Sequence, residues 1–460
     1  MPWLRRAIAA LALLVATAAP ALELADAHGL HVAAVDQLTP RQLNARVASD
    51  ALGQPVDVRI LVPADYDDTD QRYPVLYLFH GTSGRASDWI VAGDAEAATA
   101  GLPLIVVMPD IGFDGDGGGW FADWWNGGAR GQPMWETFHV GQLVPWVDAN
   151  LRTVPARHGR ALAGLSQGGF GSLSYAARHP DLFTSAAAFS GACQIDRDAE
   201  AIETATFVIQ FTTGVLSGKD PDAVFGPRAT QTLNWQAHDP ATLVSNLRGL
   251  QIALWTGNGE AGPFDPLPLD PAAVSIERAT YGATQLFHGH LDEERIAHHY
   301  VDYGGGTHIW PYWARDLREY LPLLMARFAD PPRPPAAISY LTADEEWDRW
   351  GWQVQLTGAT PGFNHLQWAS RRGFTLTGSG SAAVRTPSLW RPGTKLRVSL
   401  RGAGIATHSV VRVGDDGRAE ITVPLGDGEA RTMRVRLRAA DRHLQTQSRT
   451  SGRSSKCSFT

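Results

Sequence analysis

Two cysteines in 460 residues are too few for a fold held by disulfides. Cys193 and Cys457 lie far apart, and Cys457 sits in a polar tail, so no structural disulfide is expected. Basic charge is not in excess either. The net charge is -7, which offers nothing to a phosphate backbone and excludes nucleic acid as a partner. Long apolar runs are absent beyond the first residues. Ala7 to Ala19 is apolar but too short to span a bilayer. With Arg5 and Arg6 before it, and Ala19-Pro-Ala21 and Ala25-Asp-Ala27 after it, that run reads as a secretory signal over residues 1–27. The expected location is secreted or in the cell envelope. At 44% hydrophobic and 19% charged, the chain has a sizeable core to bury and is not disordered as a whole.

What is present begins with short apolar runs of strand length. Val56 to Val62, Pro74 to Phe79, Leu104 to Met108, Arg160 to Leu165, Ser185 to Phe189, Gln251 to Thr256 and Ala297 to Tyr303 read as strands, several buried on both faces. Between them, helices are predicted over Glu136 to Leu151, Phe170 to Arg178 and Trp310 to Phe328. Another is expected from Asp239-Pro240 to about Arg248, with Asp as cap and Pro in the first turn. Strands alternating with helices predict an α/β unit with a mostly parallel, doubly wound sheet over residues 28–330. Pro331 to Pro335 reads as a stiff linker. From 336 to 441 the helical period disappears. Short strands are expected at Gly351 to Leu356, Gly373 to Thr377, Thr394 to Leu400, Ser409 to Val413, Ala419 to Val423 and Thr432 to Leu437. Asp416-Gly417 is expected to turn a hairpin. This reads as a small C-terminal β-sandwich-like domain, followed by a disordered tail over 442–460.

The chemistry concentrates in Ala161 to Pro180, a strand, a tight turn and a helix. Gly164 and Gly168 flank Ser166 as Gly-x-Ser-x-Gly. In such an elbow the serine backbone is strained, and side chains at the flanking positions would collide with the neighbouring strand and helix. The hydroxyl is left exposed at a helix start, where the dipole favours an oxyanion. Such a serine needs a base and an acid that orients it. His308 follows the last strand of the unit and precedes the closing helix, which is the place for the base. His298 and His299 lie inside that strand and suit the role less. For the acid, position alone favours Glu260 or Asp265, soon after the strand Gln251 to Thr256.

Several stretches together resemble the esterase D / antigen 85 group of α/β-hydrolases, which includes mycolyltransferases and simple carboxylesterases. They are Phe79-His-Gly-Thr82, Trp135-Glu-Thr-Phe138, Gly164-Leu-Ser-Gln-Gly168, His238-Asp-Pro240, Thr256-Gly-Asn-Gly259 and Gly306-Thr-His-Ile-Trp310. The resemblance implies an α/β-hydrolase with Ser166 as nucleophile, His308 as base and Glu277 as acid. It also implies an oxyanion hole made by the backbone N–H groups of Thr82 and Gln167. The generic Gln167-Gly168-Gly169 after the serine differs from the bulkier or methyl-bearing mycolyltransferase form. The cysteine pair that some of those enzymes carry near the tryptophan loop is missing. The C-terminal domain resembles one appended to exported actinobacterial esterases, which assigns it no activity.

Other clusters are weaker signals. Asp110, Asp114 and Asp116 stand among glycines without an EF-hand spacing, so a Gly/Asp loop is expected in place of a calcium site. His288-Gly-His290, Asp292 and His298 are metal-ligating types without a complete ligand pattern. No metal or cofactor is expected. Trp124, Trp125 and Trp310 are expected to line the substrate site, since indole faces stack on apolar chains and sugar rings. The expected function is an exported serine esterase or acyltransferase acting on a small-molecule or lipid acyl ester through an acyl-enzyme, with cell-envelope association. Two other readings stand beside it. One is a trehalose mycolyltransferase of the antigen 85 type, with a sugar as acceptor. The other is a non-catalytic glycan binder on a hydrolase scaffold, which would have no use for a strained serine elbow.

Overall fold

The computed structural model describes residues 22–125, 133–402 and 404–440. The charged start and apolar run of the expected signal, the tail from Arg442 and Cys457 all lie outside the described residues. The chain divides between Pro334 and Pro335 into two compact units, inside the proline-rich stretch. Among the described residues, no helix is long and apolar enough to cross a membrane.

The first unit is built on a nine-stranded sheet. Its strands are β1 (Leu30–Gln37), β2 (Gln42–Ser49), β3 (Val56–Leu61), β4 (Val75–Phe79), β5 (Ile105–Pro109), β6 (Arg160–Leu165), β7 (Ser185–Phe189), β8 (Gln251–Thr256) and β9 (His298–Asp302). Their order across the sheet is β1-β2-β3-β5-β4-β6-β7-β8-β9. The first three strands join antiparallel, and from β5 to β9 every neighbour is parallel. Every residue of β4, β5, β6 and β7 is buried, which is why these segments read as unbroken apolar runs. The register pairs Phe79 with Gly164, Leu165 with Phe189 and Phe189 with Trp255. The carboxyl ends of β4, β6, β7 and β8 therefore lie side by side, where ligands bind in sheets of this kind.

Two helices cover the centre of the sheet. The helix Gln167–Arg178 follows β6 and is buried at every residue. The helix Trp310–Ala329 sets Trp313, Leu317, Tyr320 and Leu324 into one core with Leu76, Leu78, Ala163, Ala253 and Trp255. Each of these buried leucines stabilises the fold by about 1.5–3 kcal/mol relative to exposure.

Two expectations are corrected in this unit. The helix expected over Glu136 to Leu151 starts as a widened π-turn, Thr137–Leu143, and becomes α-helical only at Val144–Asn150. Pro145 sits in the first turn of the α segment, where its missing N–H costs least. Asp239-Pro240 does not open a helix. Instead Asp239 follows the helix Arg228–His238, and a 3₁₀ turn forms at Val244–Leu247. The Asp239 carboxylate accepts from the N–H groups of Ile195 at 2.8 Å and Thr242 at 2.9 Å, tying two loops together. Sequence reading also missed β1, β2 and the helices Ala199–Phe211 and Pro271–Glu293.

The second unit is an antiparallel sheet of eight strands wrapped around its own core, which includes Tyr340, Trp347, Trp352, Leu376, Val398 and Val423. Its strands are β10 (Ile338–Thr342), β11 (Glu346–Arg349), β12 (Trp352–Thr357), β13 (Asn364–Ser370), β14 (Gly373–Arg385), β15 (Lys395–Gly402), β16 (Ile405–Arg412) and β17 (Glu420–Ala439). The first half of β14 pairs with β13 and the second with β12. The two strands expected at Ala419 to Val423 and Thr432 to Leu437 are one strand, β17. Its register against β14 slips next to Gly380, opposite Gly426. Asp416-Gly417 lies in a turn closed by Gly417 N–H to Gly414 O at 3.1 Å. It makes no hairpin, because β15 lies between β16 and β17.

Candidate active site

The turn after β6 has the geometry that its glycines predict. Ser166 takes φ 53° and ψ −121°, a strained conformation for a residue with a side chain. A Cβ on Gly164 would press on the Gly168 carbonyl, and one on Gly168 would overlap the carbonyls of Phe79 and His80. The strain is held by hydrogen bonds. Ser166 N–H donates to Phe189 O at 3.0 Å, and Ser166 O accepts from Gly169 N–H at 3.0 Å.

Glu277 and His308 form a close pair. The His308 ring donates from Nδ1 to Glu277 Oε2 at 2.7 Å. Glu277 is fully buried, and its other oxygen accepts from Ser190 Oγ and from Gly257 N–H, both at 2.8 Å. The three donors hold this buried carboxylate in place, and its bond to Nδ1 turns the histidine Nε2 outward. Glu277 lies on the helix Pro271–Glu293, whose start is capped by Asp270 accepting from Ala272 N–H at 2.9 Å. His308 N–H donates to Ala273 O at 3.2 Å, which fastens the histidine loop to that helix. The Trp313 ring stands edge-on to His308 with centroids 4.8 Å apart.

Glu260 and Asp265 are near this pair but serve the scaffold. Glu260 is exposed and uses its backbone carbonyl, which accepts from Gly306 N–H at 2.8 Å. The Asp265 carboxylate accepts from Thr307 Oγ1 and from the Tyr312 hydroxyl, the latter at 2.8 Å. The loops after β8 and β9 are laced together by these bonds, which sets the height of His308.

The loop after β4 closes the site. Gln167 is 1% exposed, and its side chain donates to Thr82 Oγ1 at 3.2 Å and to Gly117 O at 3.0 Å. The segment that carries Thr82 is thus pinned to the elbow. His80 beneath it donates from Nδ1 to Gly81 O at 2.8 Å, and its Nε2 accepts from Ile111 N–H at 3.2 Å. Burial pushes His80 down to about 4, so the ring is neutral at pH 7 and its tautomer is fixed by these two bonds. The Asp110 carboxylate accepts from Asp57 N–H at 2.9 Å and Ala86 N–H at 2.7 Å, and burial pushes it up to about 6. Asp116 accepts from Gly118 N–H at 2.8 Å. Asp110 and Asp116 thus organise loop backbone separately, and Asp114 stands against Arg85, whose guanidinium donates to its backbone carbonyl at 2.8 Å.

Ser166, His308, Thr82 and Gln167 all line one cavity of about 1370 Å³. Its walls include Phe207, Phe211 and Leu216 from the segment after β7, and Ile276, Ala279 and Leu286 from the helix of Glu277. Of the tryptophans expected there, Trp310 lines the cavity, joined by Trp120 and Trp313. Trp124 and Trp125 do not. Trp124 is 4% exposed and donates its indole N–H to Gly119 O at 2.9 Å, and Trp125 N–H holds Val224 O at 2.8 Å. Both brace the loop. Sequence reading missed Ser190 and Gly257, although each follows the carboxyl end of a parallel strand, which was the available signal.

Residues 49–324, more than half of the chain, match the Esterase family model, described as "Putative esterase". The esterase Rv1288 of Mycobacterium tuberculosis is 41% identical over 177 residues, covering 38% of this chain and 37% of that relative's length. The chain therefore spans well under half of that relative. The diacylglycerol acyltransferase/mycolyltransferase Ag85B of Mycolicibacterium smegmatis is 28% identical over 265 residues, 54% of this chain and 75% of its own. The crystal structure of Mycobacterium tuberculosis MPT51 aligns with TM-score 0.48 at 24% identity, over 65% of this chain and 97% of that one. With its parallel sheet, its serine elbow and the family match across the first unit, the chain belongs to the Esterase family of α/β-hydrolases.

Proposed function

We propose that this chain is an exported serine hydrolase that cleaves carboxylic acyl esters through an acyl-enzyme. The observation that carries the reading is the 2.7 Å bond from His308 to the buried Glu277, beside a cavity that also holds the strained Ser166. In this mechanism His308 Nε2 takes the Ser166 proton as the hydroxyl attacks the ester carbonyl. Glu277 stabilises the imidazolium that results and keeps its orientation. The Thr82 and Gln167 N–H groups donate to the tetrahedral oxyanion, with the helix start adding its dipole. His308 then returns the proton to the departing alcohol, and a water activated by the same ring releases the acid. No metal or cofactor enters these steps.

The apolar walls supplied by Phe207, Phe211, Leu216, Ile276 and Leu286 fit the acyl portion of a lipid or small-molecule ester. A sugar hydroxyl in place of water would turn the same acyl-enzyme into an acyltransferase, as the name of the Ag85B relative suggests. The generic Gln167-Gly168-Gly169 favours water.

Export rests on the leader at the start of the sequence. Ala25 accepts from Trp146 Nε1 at 2.9 Å, and its N–H donates to Asn150 at 2.6 Å. Cleavage after Ala19-Pro-Ala21 would keep those bonds, whereas cleavage after Ala27 would remove them, so the first site is proposed.

A fluorophosphonate probe tests the reading directly. Wild type should be labelled and should hydrolyse p-nitrophenyl esters, and Ser166→Ala should do neither while keeping its far-UV spectrum. Free acid should predominate over trehalose ester when trehalose is supplied. Hydrolysis by Ser166→Ala near the wild-type rate would reject the mechanism, and predominant trehalose ester would assign the sugar acceptor.

A further inference from the structure

We propose that His288, Asp292 and His298 form a binding site for a divalent transition-metal cation of the zinc type. His288 and Asp292 lie one turn apart on the helix Pro271–Glu293, and His298 opens β9. One ligand atom from each lies within 4.8 Å of the other two. A cation with bonds of about 2.0–2.2 Å to nitrogen and oxygen needs only small side-chain rotations to draw such a set together.

The rings are prepared for this. His298 Nδ1 faces the Ile296 carbonyl at 2.8 Å. A carbonyl only accepts, so Nδ1 carries the proton and Nε2 keeps its lone pair. That lone pair faces His288 Nδ1 at 2.6 Å. A backbone carbonyl behind an imidazole is the arrangement that fixes the tautomer of a metal-ligating histidine and raises its basicity. The His288 ring is held by stacking on Tyr300, with centroids 4.1 Å apart and planes 17° from parallel. Asp292 Oδ2 stands 3.7 Å from His288 Nε2, and its side chain is 66% exposed, which leaves water access for the remaining positions.

In the metal-free protein, His288 Nδ1–H donates its proton to the His298 lone pair. A cation takes the place of that hydrogen bond. Bonds form from the metal to His298 Nε2, one His288 ring nitrogen and an Asp292 oxygen; where His288 binds through Nδ1, its proton passes through solvent to Nε2, so the ring keeps one proton. Two imidazoles and one carboxylate suit zinc, nickel or copper and disfavour magnesium and calcium, which take oxygen ligands. The bound ion would clamp the helix that carries Glu277 to the strand that leads into the His308 loop.

The test uses the full chain without histidine tags, stripped with EDTA, and reads binding and melting without any activity measurement. Zinc chloride should bind saturably in calorimetry and raise Tm by about 2–4 °C near saturation. His298→Gln and Asp292→Asn should each lose most of that rise. His299→Ala, whose ring packs on Trp255, should keep it. Asp292 is exposed enough for its variant to fold even if His298→Gln does not. No shift in wild type, an undiminished shift in Asp292→Asn, or an equal shift with magnesium chloride would overturn the proposal.

Discussion

Ser190 donates to Glu277 at 2.8 Å on the carboxylate oxygen that His308 does not use. The serine follows β7 with φ 46° and is fully buried, so it has no solvent alternative and aims Glu277 at the ring. A hydrogen bond to a buried charge is worth about 1.5–3 kcal/mol. Ser190→Ala should therefore lower kcat about 10- to 100-fold with little change in KM. Ser190→Thr, which keeps the hydroxyl, should recover part of the loss. Steady-state kinetics on a short p-nitrophenyl ester read both.

The elbow glycines offer a stability test. The atoms that a Cβ on Gly168 would strike are the Phe79 and His80 carbonyls, backbone atoms at the carboxyl end of a central strand that have no rotamer to escape into. Gly168→Ala should cost about 1–3 kcal/mol or more by overpacking and should displace the loop bearing Thr82. Gly282→Ala, where the added Cβ meets nothing within 4 Å, should be neutral or mildly stabilising. Thermal melts of the two variants side by side make the comparison.

The same pair of residue types shows where sequence reading reached and where it stopped. Asp-Pro occurs at Asp239-Pro240 and again at Asp270-Pro271. The helix-start rule was applied to the first, yet only the second opens a helix. Both aspartates accept from N–H groups that follow them, Asp239 from Thr242 and Asp270 from Ala272, and Asp239 also holds the distant N–H of Ile195. The central strands were legible because burial on both faces leaves no polar residue to break the run. β1 was not, since its residues alternate irregularly between exposed and half-buried at the sheet edge. Where two strands were expected, β17 runs unbroken through Gly426 and Gly428, with φ 79° and 85°. At the site, the order of Ser166 and His308 along the chain could be reasoned out. The pairing of Glu277 with His308 came from resemblance, since position alone pointed to Glu260 and Asp265. Trp124 and Trp125 show that an aromatic-rich loop does not reveal which rings brace it and which face a cavity.

Each unit encloses a core of its own, and the chain divides between Pro334 and Pro335. A chain ending at Pro334 should fold and keep its kcat/KM on short esters within about two-fold, well under the ten-fold that corresponds to 1.4 kcal/mol. Aggregation of that fragment would mean that the units depend on one another to fold.

His139 gives a dependence of stability on pH with a defined sign. It is 2% exposed, faces the Tyr175 hydroxyl at 3.0 Å through Nδ1 and the Asp110 carbonyl at 3.0 Å through Nε2, and is pushed by burial from 6.5 down to about 3. The folded value lies below the unfolded one, so the unfolded chain takes up the proton first as pH falls. The contribution of neutral His139 is therefore complete above pH 6.5 and is lost progressively towards pH 3. Its slope reaches about 1.4 kcal/mol per pH unit inside that window. Burial lowers His80 in the same direction, while the raised value of Asp110 acts in the opposite sense between its ordinary value of 3.8 and about 6. Wild type alone would show only the net of these. His139→Gln removes one of them. Its unfolding free energy should be lower than wild type at pH 7.5, and the gap should close as pH falls to 4.5, because only the wild type has that imidazole left to titrate. Urea melts of both proteins at half-unit pH steps measure the gap. A constant difference across the window would show that His139 is protonated in the folded state and that its burial does not hold it neutral.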